Sequence, residues 1–250
     1  MMISRISFTF LLLLICCASG HVYSKVILID PGHGGNDLGA WKRLSKKSVI
    51  YEKDLALDLA KRIQKLLKKK HTVHLSRSLD KEVELSHRAE IAEKVKADLV
   101  ISVHINSSKN SKSQGVETYY LGNNKDIAVK KIERIENEKM GAPPSIIQQI
   151  LADLIVAKTV PKSRSLASSV HHNIMKKMKK KYKLKDRGIK PAIFYILALS
   201  KRPGILLEVG FMSNKEELAR MKKTKFKDDY AKAVAEGLSL IHISEPTRPY

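Results

Sequence analysis

Thiols are almost missing from this chain: its two cysteines, Cys16 and Cys17, sit side by side near the N-terminus. They fall in a segment read below as one removed on export, which leaves the mature protein neither a disulfide nor a cysteine nucleophile. Acidic residues are scarce as well, with 25 Asp and Glu against 47 Lys and Arg, a formal net charge of +22. Such an excess favours a polyanionic partner, whether nucleic acid, anionic lipid or an acidic wall polymer, and does not choose among them. No Gly-x-Ser-x-Gly elbow occurs, so a serine hydrolase is unsupported. Gly32 to Gly35 lacks the Lys-Ser/Thr ending of a phosphate loop, which argues against nucleotide binding. There is no internal repeat and no low-complexity linker.

Long apolar runs are confined to Phe8 to Cys17, behind a short basic start and ahead of the small residues Ala18, Ser19 and Gly20. That layout is a secretory signal peptide over residues 1–20; the competing reading is a membrane anchor. A lipoprotein is disfavoured, because Ile15 and Cys16 stand before the cysteines where a small residue is expected. Export makes nucleic acid a poor partner for the positive charge, and signal removal leaves no stable membrane anchor. At the other end, residues 238–250 resemble a translated sequencing adapter. That tail, with His242, is set aside as non-native; a short native tail is the alternative.

Between these ends, apolar runs and amphipathic stretches alternate. Lys25-Val-Ile-Leu-Ile-Asp-Pro-Gly-His-Gly-Gly35 reads as a buried strand stopped by turn residues, with His33 on the loop at its C-terminal end. Trp41 to Val49 is polar and basic and reads as a surface loop. Glu52 to Lys70 forms an amphipathic helix, with Leu55, Leu59, Ile63, Leu66 and Leu67 on one face. Thr72 to Ser76 is a short strand, Glu82 to Val95 a helix, and Asp98 to Asn106 and Gly115 to Leu121 are strands. Asn123 to Pro161 breaks the rhythm as an insertion: a charged helix over Lys125 to Met140, a stop at Gly141 to Pro144, and a second helical piece from Ser145. Ser163 to Met178 is a long helix running into a tract with seven lysines in ten residues, Lys176 to Lys185. That tract is a solvated face or a grip on anionic wall polymer. Ile193 to Leu199 and Gly204 to Val209 read as two more strands, and Glu216 to Met221 and Phe226 to Leu238 as closing helices. The alternation argues for an α/β fold, a twisted, mostly parallel sheet with helices on both faces.

Polar side chains that end apolar strands mark the chemistry. His33 ends the first strand, His104 lies near the end of another, and Glu208 ends Gly204 to Gly210. Glu52 opens the first long helix. In open α/β sheets the C-terminal strand ends are where ligands bind. Two imidazoles and a carboxylate are a usual ligand set for a catalytic zinc, with one position left for water. A second carboxylate can then move the water's proton to a leaving nitrogen. These residue types suit amide hydrolysis. His71, His74, His171 and His172 are poor ligand candidates: the first two flank an edge strand with no carboxylate in register, and the adjacent pair points to different helix faces.

At these residues the chain resembles the zinc-dependent N-acetylmuramoyl-L-alanine amidases of bacterial cell-wall hydrolysis. The resemblance spans Lys25 to Gly237. It rests on Ile29-Asp-Pro-Gly-His-Gly-Gly35, Tyr51-Glu-Lys-Asp54, Ser102-Val-His-Ile-Asn106, Gly115-Val-Glu-Thr-Tyr-Tyr120 and Glu208-Val-Gly-Phe-Met-Ser-Asn214. It implies that His33, Glu52 and His104 hold one Zn2+ and that Glu208 is the catalytic carboxylate. The implied substrate is peptidoglycan, cut between the lactyl group of N-acetylmuramic acid and L-alanine, in a secreted or periplasmic enzyme. Arg88 and Arg187, the latter in Asp186-Arg-Gly-Ile189, are expected to meet substrate carboxylates or to form structural salt bridges. In septal members of the family, an inserted helix covers the cleft and lends a glutamate to the metal until a partner protein withdraws it. Glu133, Glu136 and Glu138 are eligible here, and Glu136 is the choice within insertion 124–160. The competing functions are a wall-binding protein with a dead site and a zinc peptidase cutting elsewhere in the stem peptide. Retention of all four chemical residues speaks against the first, and the family resemblance against the second.

Overall fold

The computed structural model describes residues 24–137 and 155–239. The signal segment, Glu138, the helical piece from Ser145 and residues 240–250 lie outside them.

Strand β1 (Val26–Pro31) is buried along almost its whole length. Ile27 and Ile29 enter one core and Leu28 the other, which is why its sequence is a continuous apolar run and not an alternation. Full burial of each such side chain is worth about 1.5–3 kcal/mol. β1 pairs in parallel with β4 (Thr72–Leu75) on one side and β5 (Leu99–Asn106) on the other. Beyond β5 lie β8 (Gly204–Phe211), β6 (Val116–Leu121) and β7 (Asp186–Ala192), giving the order β4-β1-β5-β8-β6-β7. β6 runs antiparallel to β8 and parallel to β7. The ends of β1, β5 and β8 and the starts of β6 and β7 therefore share one edge of the sheet.

One face is covered by α1 (Glu52–Leu67), α4 (Ile155–Tyr182), α6 (Lys215–Met221) and α7 (Thr224–Ser239). The other packs against α2 (Leu85–Lys94), α3 (Ile127–Asn137) and the short α5 (Tyr195–Leu199). Among the described residues, no helix is long and apolar enough to cross a membrane.

Five local expectations change. Trp41 to Val49 is not a loop: β2 (Trp41–Ser45) and β3 (Ser48–Tyr51) form an antiparallel hairpin with Trp41 opposite Tyr51. Neither face of that hairpin is deeply buried, so backbone bonds hold it and no apolar alternation announces it. Ile193 to Leu199 is not a strand; its second part coils into α5, and the edge strand is the preceding Asp186–Ala192. Gly188, at φ 79°, and Pro191 disguise that strand in the sequence, and both are tolerated because it has only one neighbour. α2 starts at Leu85, not Glu82, and α4 begins before Ser163 and carries Pro161 inside it. Finally, α7 continues through Leu238, which is buried in the core, to Ser239, so these two residues belong to the folded helix and not to a tail.

Candidate metal centre

The site is built at the shared edge. His33 leaves β1 in a left-handed conformation, φ 60°, a region that side chains rarely adopt and that the surroundings must enforce. Two buried arginines do so by gripping the backbone of the turn. Arg77 donates from Nε to the Pro31 carbonyl (3.1 Å) and from Nη2 to that of Gly32 (2.8 Å). Arg88 donates to the carbonyls of Pro31, His33 (each 2.7 Å) and Val83 (2.8 Å), and to Asp30 Oδ1 (2.7 Å). The substrate-anchoring role expected of Arg88 is thereby corrected. It is 3% exposed and spends four donors on protein acceptors, so it props the His33 turn. Asp30 is fully buried, and it also accepts from Ser76 and Ser102. Burial would raise its pKa, but the Arg88 guanidinium and these donors hold it below the usual carboxylate range.

Glu52 is the first residue of α1 and is 2% exposed. Its Oε1 accepts from the Ile105 amide and its Oε2 from the Ala40 amide, each at 2.8 Å. His104 stands on β5 directly beside Glu208 on β8, which in turn faces Glu117 on β6. Gly32 is required where the turn passes the His104 ring: a Cβ there would lie 2.5–2.8 Å from three ring atoms. Gly39, at φ 63°, plays the same part against His33 and Glu52.

The structure brings His33, Glu52, His104 and Glu136 together, with one ligand atom from each lying within 4.8 Å of all the others. His33 Nε2 is 3.1 Å from Glu52 Oε1 and 3.5 Å from Glu136 Oε2; His104 Nδ1 is 3.3 Å and 3.0 Å from the same two oxygens. His33 Nε2, His104 Nδ1 and Glu136 Oε2 are buried with no hydrogen-bond partner. Ligands about 2.0–2.2 Å from a shared tetrahedral centre stand roughly 3.3–3.6 Å apart, so the donor set fits a small cation. The electrostatics agree. Burial would lower the His33 pKa, but the Glu52, Asp37 and Glu136 carboxylates outweigh it and lift it to about 9. His104 is raised for the same reason by Glu136 and Glu52, and burial of Glu52 is overcome by the two imidazoles, which depress its pKa. The four side chains thus draw positive charge into their midst. This is a centre that can bind a metal ion.

Glu208 lies at its border, 1% exposed, with both carboxylate oxygens free of hydrogen bonds. Burial, then the Glu136 charge, and then Glu52 and Glu117 push its pKa well above the ordinary carboxylate value, against the His104 ring. Arg187 is half-buried, hydrogen-bonded from Nε to Glu117 Oε1, and lies over the Phe211 ring at 5.2 Å.

A family profile described as N-acetylmuramoyl-L-alanine amidase matches residues 27–239. The chain belongs to that family. It is 33% identical over 225 residues to the N-acetylmuramoyl-L-alanine amidase AmiA of Escherichia coli, covering 86% of this chain and 75% of the relative. An endolysin of Bacillus phage SPP1 is 34% identical over 221 residues, 87% of this chain and 66% of that protein. Among solved structures, an N-acetylmuramoyl-L-alanine amidase from Clostridium difficile 630 superposes with a TM-score of 0.68 at 30% identity, covering 89% of this chain and 99% of the other. The amidase is thus a peptidoglycan hydrolase on a mostly parallel six-stranded sheet.

Several residues of the amidase escaped sequence reasoning. Asp37 orients the His33 ring, accepting at Oδ2 opposite Nδ1 (2.9 Å) while its Oδ1 accepts from the Gly39 amide. Such outer carboxylates fix the tautomer of a ligating histidine, and the four-residue step from His33 was the available clue. Glu117 lay inside a quoted motif without a role. Fully buried, it collects Arg187, Lys190, Asn106 and Tyr119. Of the acids weighed on the insertion, Glu133 turns instead to the Ile193 amide (2.7 Å) and Lys130, and Glu136 reaches the centre; Glu138 lies outside the described residues.

Proposed function

We propose that the amidase is a zinc enzyme, with His33, Glu52 and His104 as its permanent metal ligands and Glu208 as its proton carrier. The observation that carries this reading is the set of buried donor atoms converging from the β1 turn, α1, β5 and α3, of which those of His33, His104 and Glu136 have no hydrogen-bond partner. When bound, zinc supplies Lewis acidity and lowers the pKa of water to near 7. The chain does the rest. Glu52 is immobilised by two backbone amides, and His33 is turned by Asp37. Glu208 accepts the proton of the attacking water and returns it to the departing nitrogen of L-alanine as the carbon–nitrogen bond breaks. The products are the lactyl carboxylate of N-acetylmuramic acid and a stem peptide with a free amine. Burial, which raises the Glu208 pKa, favours holding the proton until the nitrogen departs.

Glu136 makes the resting enzyme inhibited. With zinc bound, Glu136 would be a fourth protein ligand in place of water, and α3 would have to leave before the amide could be cut. An activator protein that withdraws α3 would couple hydrolysis to wall remodelling and daughter-cell separation. Residues 1–20 act as an export signal, which puts the enzyme where its substrate is.

Digestion of purified peptidoglycan tests the chemistry. Stem peptides with a free L-alanine amine are expected, and chelation should abolish their release. Cleavage within the stem peptide, or activity indifferent to chelator in a metal-free preparation, overturns the reading.

A further inference from the structure

The chain has one tryptophan, and Trp41 is 57% exposed. An exposed indole offers a large flat apolar surface to a ligand, and the backbone that carries this one is paired into a hairpin. It opens β2 opposite Tyr51, the residue that precedes Glu52. Next to it, Ala40 donates its amide to Glu52 Oε2 and accepts the Glu52 amide at its carbonyl, both at 2.8 Å. The indole is therefore tied through a few backbone bonds to a side chain of the metal centre. A cavity of about 330 Å³ lies between them, lined by Trp41 together with His33, Gly39, Glu52, Asn106 and Glu136.

The substrate supplies the occupant. In N-acetylmuramic acid only the lactyl carbon and its ether oxygen separate the scissile carbonyl from the sugar ring. A carbonyl at the metal centre therefore forces the pyranose into a neighbouring cavity. Pyranose rings present an apolar face of C–H groups, and a flat, preorganised aromatic surface complements such a face at little entropic cost. On the opposite flank, across β8, Arg187 and Lys190 are both hydrogen-bonded to Glu117 and offer cations to a stem-peptide carboxylate. The two flanks differ in kind, and only the Trp41 side is suited to a sugar.

We propose that Trp41 is a carbohydrate-stacking platform that seats the muramic acid ring beside the metal centre and so fixes the direction in which the substrate lies. The inference rests on the amidase reading of the site. Because Trp41 is the sole indole, its fluorescence reports the contact directly. Metal-free protein, which cannot turn substrate over, is titrated with N-acetylmuramoyl-L-alanyl-D-isoglutamine and, separately, with L-alanyl-D-isoglutamine. The titrations are repeated in a Glu136→Gln chain, so that occlusion by α3 does not hide the cavity. The muramoyl compound is expected to shift or quench emission and the bare dipeptide to leave it unchanged. In the zinc-loaded enzyme, Trp41→Ala should raise KM about tenfold with kcat within about twofold, and Trp41→Tyr should recover most of the loss. No response to the muramoyl compound in either chain, an equal response to the dipeptide, or an unchanged KM in a folded Trp41→Ala enzyme overturns the proposal. Failure of the zinc-loaded Glu136→Gln protein to release free L-alanine amines would instead remove the amidase reading beneath it.

Discussion

Two glutamates reach the same centre from unlike supports. Glu52 grows out of the sheet–helix body: it is 2% exposed, both oxygens are occupied by backbone amides, and α1 behind it is anchored by Leu55, Leu59, Ile63 and Leu67. Glu136 rides on α3, whose Val129 is buried but whose Ile127 and Ile135 are 87% and 45% exposed. Its Oε2 has no hydrogen-bond partner. What keeps α3 in place nearby is a small polar clasp. Glu133 accepts from the Ile193 amide, while Asn137 donates to the Ile193 carbonyl (2.7 Å) and accepts from the Tyr195 amide (3.0 Å). A net hydrogen bond is worth about 0.5–1.5 kcal/mol, so three of them form a clasp of only a few kcal/mol. Identical carboxylates thus stand on a rigid support or a lightly held one according to what lies behind them.

The comparison breaks most sharply at the fixed ligand. Glu52→Gln is expected to lose both the metal and activity, the latter by about 10³-fold or more, whereas Glu208→Gln should lose a similar factor with the metal retained. Metal content by elemental analysis alongside turnover distinguishes them; equal metal loss in both would erase the division between ligand and proton carrier. Gly32→Ala should behave like Glu52→Gln, because the added carbon enters the His104 ring; metal binding at wild-type strength would contradict the cradle.

Smaller effects of opposite sign are expected at the removable ligand. Glu136→Gln should raise basal hydrolysis about tenfold, since a neutral amide is a poor substitute for the carboxylate. Asn137→Ala, which opens two bonds of the clasp and leaves Glu136 intact, should raise it about threefold. An unaltered basal rate in both would show that α3 does not restrain the enzyme.

The smallest effect is one of pH on the metal-free fold. The His33 pKa rises from 6.5 to about 9 on folding, because the carboxylates beside it outweigh its burial. A raised pKa contributes stability that is fully present below 6.5 and is lost as pH climbs through 9, on the order of 3 kcal/mol at most. Denaturant midpoints of the metal-free protein should fall across that window. A rise would mean that the ring is not protonated among its carboxylates.

The contrast between the two supports also explains what could be read from the chain itself. β1, β5 and β8 are buried on both faces, so their apolar runs stand out, and so do His33, His104 and Glu208 at their ends. The hairpin β2–β3 and the edge strand β7 have at most one buried side and carry Lys, Arg, Gly and Pro, so composition hides them. Arg88 illustrates a subtler limit. Its residue type suits a carboxylate ligand, and only the three-dimensional count of acceptors at Asp30, Pro31, His33 and Val83 reveals that its donors are already spent. Asp37 and Glu117 are missed for a like reason: each acts through a neighbour, and that neighbour is visible only in the fold.

The strand order has a consequence for when the enzyme can acquire its metal. β1 and β5 are adjacent in space yet separated in the chain by α1, β4 and α2, and β8 joins them only after α4 and β7. No short peptide of this protein gathers the donor set, so an unfolded chain has nothing with which to capture a divalent ion selectively. Loading of an ion would follow closure of the central sheet, and from that moment its binding energy would add to the work of unfolding.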